Sequence, residues 1–165
     1  MKIVIIGAGT SAKSVANIIL ENKSHSILGF IGSSEESKKF KNKNIINNYK
    51  LIGDRQILKE LKRYDIYGFV VAVGDTRLRE TLYYEAINSN LIPISALSRY
   101  AIISQSAKIS KGVIIKPGVI IGHNVNIDEN CKIDSGCIIE INSNIGSHCT
   151  IGAGVLINGE TIIKK

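Results

Sequence analysis

The chain has 165 residues, of which 44% are hydrophobic and 21% charged, with no tryptophan. That composition describes a globular protein and excludes a disordered or fibrous one. The net charge of +7 arises mostly in residues 1–100, where 15 Lys and Arg face 9 Asp and Glu, but no basic stripe interleaved with aromatics accompanies it, which argues against nucleic-acid binding.

Residues 2–9, KIVIIGAG, read as a buried parallel strand running into a glycine turn. Residues 11–22 carry helical spacing, with Val15, Ile18 and Ile19 on one face, and residues 27–31 form a second strand after a surface His25. Lys38, Lys39, Lys41 and Lys43 lie in an asparagine-rich stretch that reads as a solvated loop. A helix over 55–63, a strand over 68–73 ending at Gly74-Asp75, a helix over 76–88 and a lead-out over 91–96 follow. Strands alternating with helices predict a small parallel, Rossmann-like sheet covered on both faces, assigned to residues 1–97. No apolar run is long enough for a membrane span, and Met1 leads straight into a strand pattern with no secretory leader, so the expected compartment is the cytoplasm.

The first turn, Gly7-Ala8-Gly9-Thr10-Ser11-Ala12, follows the spacing of a dinucleotide fingerprint, in which free backbone N–H groups at a helix start face an anion. A dinucleotide site also needs an acidic residue closing the second strand. Here that strand ends Phe30-Ile31-Gly32-Ser33, with no carboxylate before Glu35. A nicotinamide-linked oxidoreductase therefore rests on the glycine turn alone, while another phosphorylated ligand or a plain tight turn fits equally well.

From Ala101 the pattern changes. Eleven consecutive hexapeptides place isoleucine third: Ile103, Ile109, Ile115, Ile121, Ile127, Ile133, Ile139, Ile145, Ile151, Ile157 and Ile163. The first position is always small or β-branched. A strict period of six is the signature of a parallel β-helix, assigned to residues 98–165. Three hexads make one coil, stacked about 4.8 Å from the next with the isoleucines pointing to the axis. Turn-forming residues directly after the isoleucine, Gly122, Asp128, Asp134, Gly146, Gly152 and Asn158, are expected to make the corners. Cys131, Cys137 and Cys149 fall on the small inward position, as apolar ladder residues; no paired cysteine spacing calls for a metal. A short prism also leaves surface to be covered, which favours self-association.

An α/β domain opening with IVIIGAG, followed by AKSV in the first helix, Ile52-Gly53-Asp54, Gly74-Asp75 with Arg79, and then a prism carrying Asp134-Ser135-Gly136 and Glu140, resembles the bacterial hexapeptide-repeat sugar acetyltransferases of the bacillosamine and sialic-acid type. The resemblance covers essentially the whole chain. It implies that the β-helix is left-handed and forms a homotrimer, and that acetyl-CoA is the co-substrate, with no metal. It also implies that the N-terminal domain holds a UDP-linked or related amino sugar through Gly7, Gly9, Thr10, Ser11, Gly74, Asp75 and Arg79. A histidine general base is implied in a Glu-His-Asp/Glu motif, but this chain reads Glu140-Ile141-Asn142, and isoleucine accepts no proton. A second histidine of the pattern falls on Thr150, its Gly-His after the first glycines on Thr10-Ser11, and its paired aspartates after the second strand on Gly32-Ser33. The family's prism also runs on for further coils, whereas this sequence ends at Lys165.

His123 lies one coil before Ile141 on the same corner, about 5 Å along the axis, and is the candidate displaced base, oriented by Glu140. The bland reading makes it a solvent-facing corner residue. His148, beyond its own isoleucine-glycine corner, is a poorer candidate. Two functions stand: an acetyl-CoA-dependent transferase acting through a moved base, or a catalytically silent trimeric protein that binds a sugar nucleotide or a partner.

Overall fold

The structure is a computed structural model and describes residues 1–40, 44–46 and 48–165. It divides into two compact units, Met1–Ile94 and Ser95–Lys165. The division falls three residues earlier than the sequence suggests, because Ala96 and Leu97 already pair in parallel with Ile114 and Ile115 as the first rung of the prism.

The first unit is built on a six-stranded sheet with strand order β3-β4-β2-β1-β5-β6. Its strands are β1 (Lys2–Ile6), β2 (Ser26–Gly32), β3 (Asn44–Ile46), β4 (Tyr49–Asp54), β5 (Gly68–Val71) and β6 (Ile92–Pro93). All neighbours are parallel except the β3–β4 pair. Alternate residues of β1 serve opposite faces. Val4 and Ile6 join Phe69, Val71, Leu82, Tyr83 and Ala86 in one cluster under α3 (Thr76–Asn88). α1 (Thr10–Asn22) contributes nothing to that cluster and packs on β1 and β2 through Val15, Ile18 and Ile19. Helices therefore cover both faces, as the alternation of elements predicts.

Three elements differ from the expected pattern. Residues 55–63, read as a helix, lie in a 3-10 helix over Arg55–Tyr64, and its buried Leu58 and Leu61 sit at the three-residue spacing such a helix presents on one face. Lys38 and Lys39, read as part of a solvated loop, fall in the last turn of α2 (Ser34–Phe40), and the loop reading of Lys41 and Lys43 lies outside the described residues. Strand β4 was masked in the sequence by its polar flanks, although Leu51 is buried against β2. His25, expected on the surface, is half-buried, and burial pulls its imidazole pKa down.

The second unit is a parallel β-helix with two-residue strands. Three four-stranded sheets form its faces: β7 (Ala96–Leu97), β10 (Ile114–Ile115), β13 (Lys132–Ile133) and β16 (Thr150–Ile151); β8 (Ile102–Ile103), β11 (Ile120–Ile121), β14 (Ile138–Ile139) and β17 (Leu156–Ile157); and β9 (Lys108–Ile109), β12 (Asn126–Ile127), β15 (Asn144–Ile145) and β18 (Ile162–Ile163). The core is one cluster of third-position isoleucines with first-position Val113, Val119, Val125, Cys131 and Cys137.

The corners differ in detail from expectation. The left-handed backbone falls on the sixth residue of nine consecutive hexads, not on the fourth: Gly112, Gly118, Asn124, Asn130, Gly136, Asn142, His148, Gly154 and Glu160 all have φ between 54° and 74°. Glycine and asparagine dominate there because they enter this region at least cost. Gly122, at the fourth position, serves a different need. A Cβ there would stand 3.0 Å from the Ile139 carbonyl oxygen and the Ile141 nitrogen of the next coil, so it is small to allow close stacking. The thiols behave as apolar residues with weak bonds to backbone carbonyls: Cys131 donates to the Gly146 carbonyl (3.0 Å) and Cys137 to that of Gly152 (2.7 Å). Burial raises the Cys137 pKa and keeps it a thiol.

Ile133 is fully buried in the middle of the column. Ile133→Ala is expected to cost about 2–5 kcal/mol, read as a lower denaturation midpoint with an unchanged slope.

Candidate functional site

In the first unit the chain leaves β1 for β2 and β4 on one side, and then takes β5 and β6 on the other. An open parallel sheet gapes at such a switch point, beyond the carboxyl ends of the two central strands. A cleft of about 540 Å³ lies there, within the range of small-ligand sites. Five of the residues expected to bind substrate meet in its lining: Gly7, Gly9, Thr10, Ser11 and Gly74.

The glycines divide by purpose. Gly7 has φ +126°, and a Cβ on it would stand 2.6 Å from the Ala72 carbonyl oxygen, so the fold itself demands glycine. The Gly7 N–H donates to the Ile31 carbonyl (2.7 Å) and the Ala72 N–H to that of Ile6 (2.8 Å), which pins the turn between β2 and β5. A Cβ on Gly9 or Gly74 would meet nothing within 4 Å. The fold does not need glycine at those two places, and their bare backbone faces the cleft. Gly9 is also the N-cap of α1 and offers no side-chain bond to the helix start, whose first turn carries no acidic residue. The first N–H groups of a helix have no intrahelical acceptor, so this turn is open to an anion.

Asp75 and Arg79 do not line the cleft. Asp75 caps α3, accepting the Leu78 N–H at 2.7 Å. Arg79 is fully buried on the same helical stripe as Leu82, Tyr83 and Ala86, one and two turns along, so its place is in the packing of α3.

Two lining residues were missed. Glu36 comes from α2 and Arg55 from the start of the 3-10 helix. Glu36 is held by a capping box: Ser33 N–H donates to its Oε2 (2.8 Å), and its own N–H donates to Ser33 Oγ (3.1 Å). The Ser-x-x-Glu spacing of residues 33–36 is the signal that would have located it. Arg55 brings a cation to the cleft. Its Nη1 lies 3.3 Å from Glu85 Oε1, an exposed pair of little worth that a ligand can exchange.

In the second unit His123 is exposed at the corner following β11. Its ring is held by Ser106, whose Oγ lies 2.6 Å from Nδ1 and also accepts the Asn124 N–H (3.0 Å). The expected orientation by Glu140 is not what the structure shows: among the described residues Glu140 makes no hydrogen bond or ion pair with His123, and the neighbouring coil supplies serine instead. Ile141 is 49% exposed where the resemblance expects a base. His148 is buried, with Nδ1 2.8 Å from Asn130 Nδ2, and serves the corner ladder. Asp134 is gripped by two ammoniums, Lys116 at 2.6 Å and Lys132 at 3.1 Å. Burial alone would push its carboxyl pKa up, but the two lysines outweigh burial and hold it below its ordinary value. Among the described residues no group of three or more His, Cys, Asp or Glu could hold a metal, and no helix is long and apolar enough to cross a membrane.

A switch-point cleft on a small α/β sheet and, in the second unit, a hexapeptide-repeat parallel β-helix define the class by fold: an α/β nucleotide-cleft type of sheet carried on one chain with a hexapeptide-repeat prism. Residues 2–86 match the PglD N-terminal domain, more than half of the chain, and the protein belongs to that family. No curated protein matches it. Among solved structures it is similar to PerB from Caulobacter crescentus in complex with CoA and GDP-perosamine, at 24% identity over 93% of this chain and 69% of that one, with a TM-score of 0.83. It is also similar to the acetyltransferase domain of PglB from Neisseria gonorrhoeae in complex with acetyl coenzyme A, at 20% identity over 99% and 85% of the two chains, with a TM-score of 0.78. WeeI from Acinetobacter baumannii follows at 15% identity over 99% and 89%, with a TM-score of 0.60. At these identities the likeness shows the fold.

Two outcomes are expected. Gly7→Ala loses more than about 1 kcal/mol of stability, whereas Gly9→Leu, whose side chain enters open space, melts near the parent by thermal denaturation. The folded Asp134 carboxyl has the lower pKa, so its contribution is whole above about pH 4 and fades as the pH falls further. Asp134→Asn should therefore lower the midpoint at neutral pH and flatten the acid limb of a stability–pH curve.

Proposed function

We propose that this protein is an acetyl-CoA-dependent transferase that acetylates a nucleotide-linked amino sugar. The observation that carries the catalytic part is His123: an exposed imidazole with one ring nitrogen tied to Ser106 and the other open. The cleft at Gly7–Ser11 holds the nucleotide, with its diphosphate against the bare turn and Arg55 in reach. In the reaction the neutral amine attacks the thioester carbonyl, and His123 takes the N–H proton as the C–N bond forms. A backbone N–H stabilises the oxyanion. The C–S bond then breaks, the CoA thiolate takes the proton, and the products are an N-acetyl sugar and CoA. A donor that is a metabolic thioester fits a cytoplasmic setting.

The assembly belongs to the same reading. The outward positions of the β8-β11-β14-β17 face are Ile102, Ile120, Ile138 and Leu156, an apolar column in which Ile102 is 68% and Leu156 59% exposed. On the β9-β12-β15-β18 face the corresponding positions are Lys108, Asn126, Asn144 and Ile162, polar except for the last, with Asn126 donating to Asn144 at 2.9 Å. Such a column is a self-association surface, and three copies closing through it make the trimer that the resemblance implies.

The exposed Ile141 favours one alternative, a trimeric relative that binds the sugar nucleotide or a partner and does not turn over. Calorimetry with acetyl-CoA and an acetyl-transfer assay separate the two. Saturable binding with turnover that falls at least a hundredfold in His123→Ala, at unchanged acetyl-CoA affinity, is the expected result. Binding of nucleotide with no acetyl transfer by a well-folded protein selects the silent relative. Ile120→Arg should reduce the mass by light scattering from three copies to one; a monomeric parent would refute the trimer.

A further inference from the structure

We propose that Glu36 reads the nucleoside end of the ligand by accepting a pair of adjacent hydrogen-bond donors, foremost the two hydroxyls of the ribose. The inference rests on the reading that the cleft holds a nucleotide-linked sugar.

Strand β2 ends on Gly32, where no side chain closes the strand. A Cβ on Gly32 would stand 3.0 Å from Glu36 Oε2 and 3.1 Å from Glu36 Cβ. The carboxylate thus occupies the volume that a side chain at the strand end would fill. In doubly wound sheets a carboxylate at the end of the second strand accepts the ribose hydroxyls of a bound nucleotide. Here the same chemistry arrives four residues later, folded back from α2, and bare Gly32 makes the room for it.

The carboxylate is fixed in place. Ser33 N–H takes one lone pair of Oε2 at 2.8 Å, and the reciprocal bond from Glu36 N–H to Ser33 Oγ closes the box. One oxygen is engaged and the other remains an acceptor on the cleft wall. An ionised carboxylate only accepts, so it selects for donors and against further acceptors. It also repels phosphate, which separates the two ends of the ligand: the diphosphate belongs with the Gly7–Ser11 turn and Arg55, the nucleoside with Glu36. Two nucleotide groups present adjacent donors, the ribose diol and the Watson–Crick edge of guanine, whereas the uracil edge flanks its single N–H with two carbonyls.

The test is calorimetric titration of wild type and Glu36→Gln with UDP, GDP, the dideoxyribose form of GDP, and inorganic pyrophosphate. Glutamine keeps a carbonyl for the Ser33 N–H and is a native partner in capping boxes, so the variant should melt with the parent. The expected result is a loss of about tenfold or more for UDP and GDP alike in Glu36→Gln. The dideoxy nucleotide should bind the parent weakly with no further loss in the variant, and pyrophosphate should be unaffected. A loss confined to GDP and its dideoxy form would keep the donor-pair rule and assign it to the guanine edge. Equal affinity of parent and variant for both nucleotides overturns the role of Glu36 and leaves the nucleotide cleft standing. Failure of the parent to bind any nucleotide overturns both.

Discussion

Parallel pairing between residues 18 apart governs the second unit. Each coil lies on the next with its isoleucine inward, and this repetition can only be sustained if the chain turns by the same angle after every strand. The backbone makes that turn by entering the left-handed region at the sixth residue of nine consecutive hexads, from Gly112 to Glu160. Core, faces and corners all follow from it. The isoleucines stack because the strands do; the Asn126–Asn144 ladder and the Ser106–His123 contact exist because residues one coil apart stand above each other. His148 and Glu160 hold an uncommon φ with their N–H groups donating to the preceding coil, to the Glu129 and Ile141 carbonyls at 2.9 Å.

The first unit depends on a different constraint, the reversal of strand order beside β1. It leaves a gap at the ends of β1 and β5 that no side chain of the sheet fills, and the chain furnishes that gap with glycine backbone on one wall and with Glu36 and Arg55 on others. Gly7 is needed for folding, while Gly9 and Gly74 are bare with no steric reason to be so. Residues that the fold leaves unexplained are the informative ones in a cleft of this kind.

How much of this was readable in the sequence follows from what sets each feature. The β-helix was legible because its period is a property of neighbouring residues. So were β1, β2, β5, α1 and α3, where apolar runs or a helical stripe announce burial. What escaped depends on contacts distant in sequence or on competing local signals. Leu51 of β4 is buried by β2, some twenty residues away. The capping box at Ser33 was overshadowed by the lysines after it, and with it went Glu36. Asp75 and Arg79 were placed at the ligand by resemblance, whereas a cap and a buried stripe claim them. The corner residue was expected two positions early, since glycine at the fourth position reflects stacking clearance and not φ.

The two periods of the prism have unequal consequences for how such a chain can change length. Removing or duplicating six residues preserves the inward isoleucine but advances everything downstream by one face, so polar and apolar faces exchange and a corner group such as His123 moves a third of the way around the axis. Removing or duplicating 18 residues restores every face and shifts the remainder by one rung only. Growth or shrinkage by whole coils therefore leaves both surfaces as they are, while a single-hexad change exchanges them.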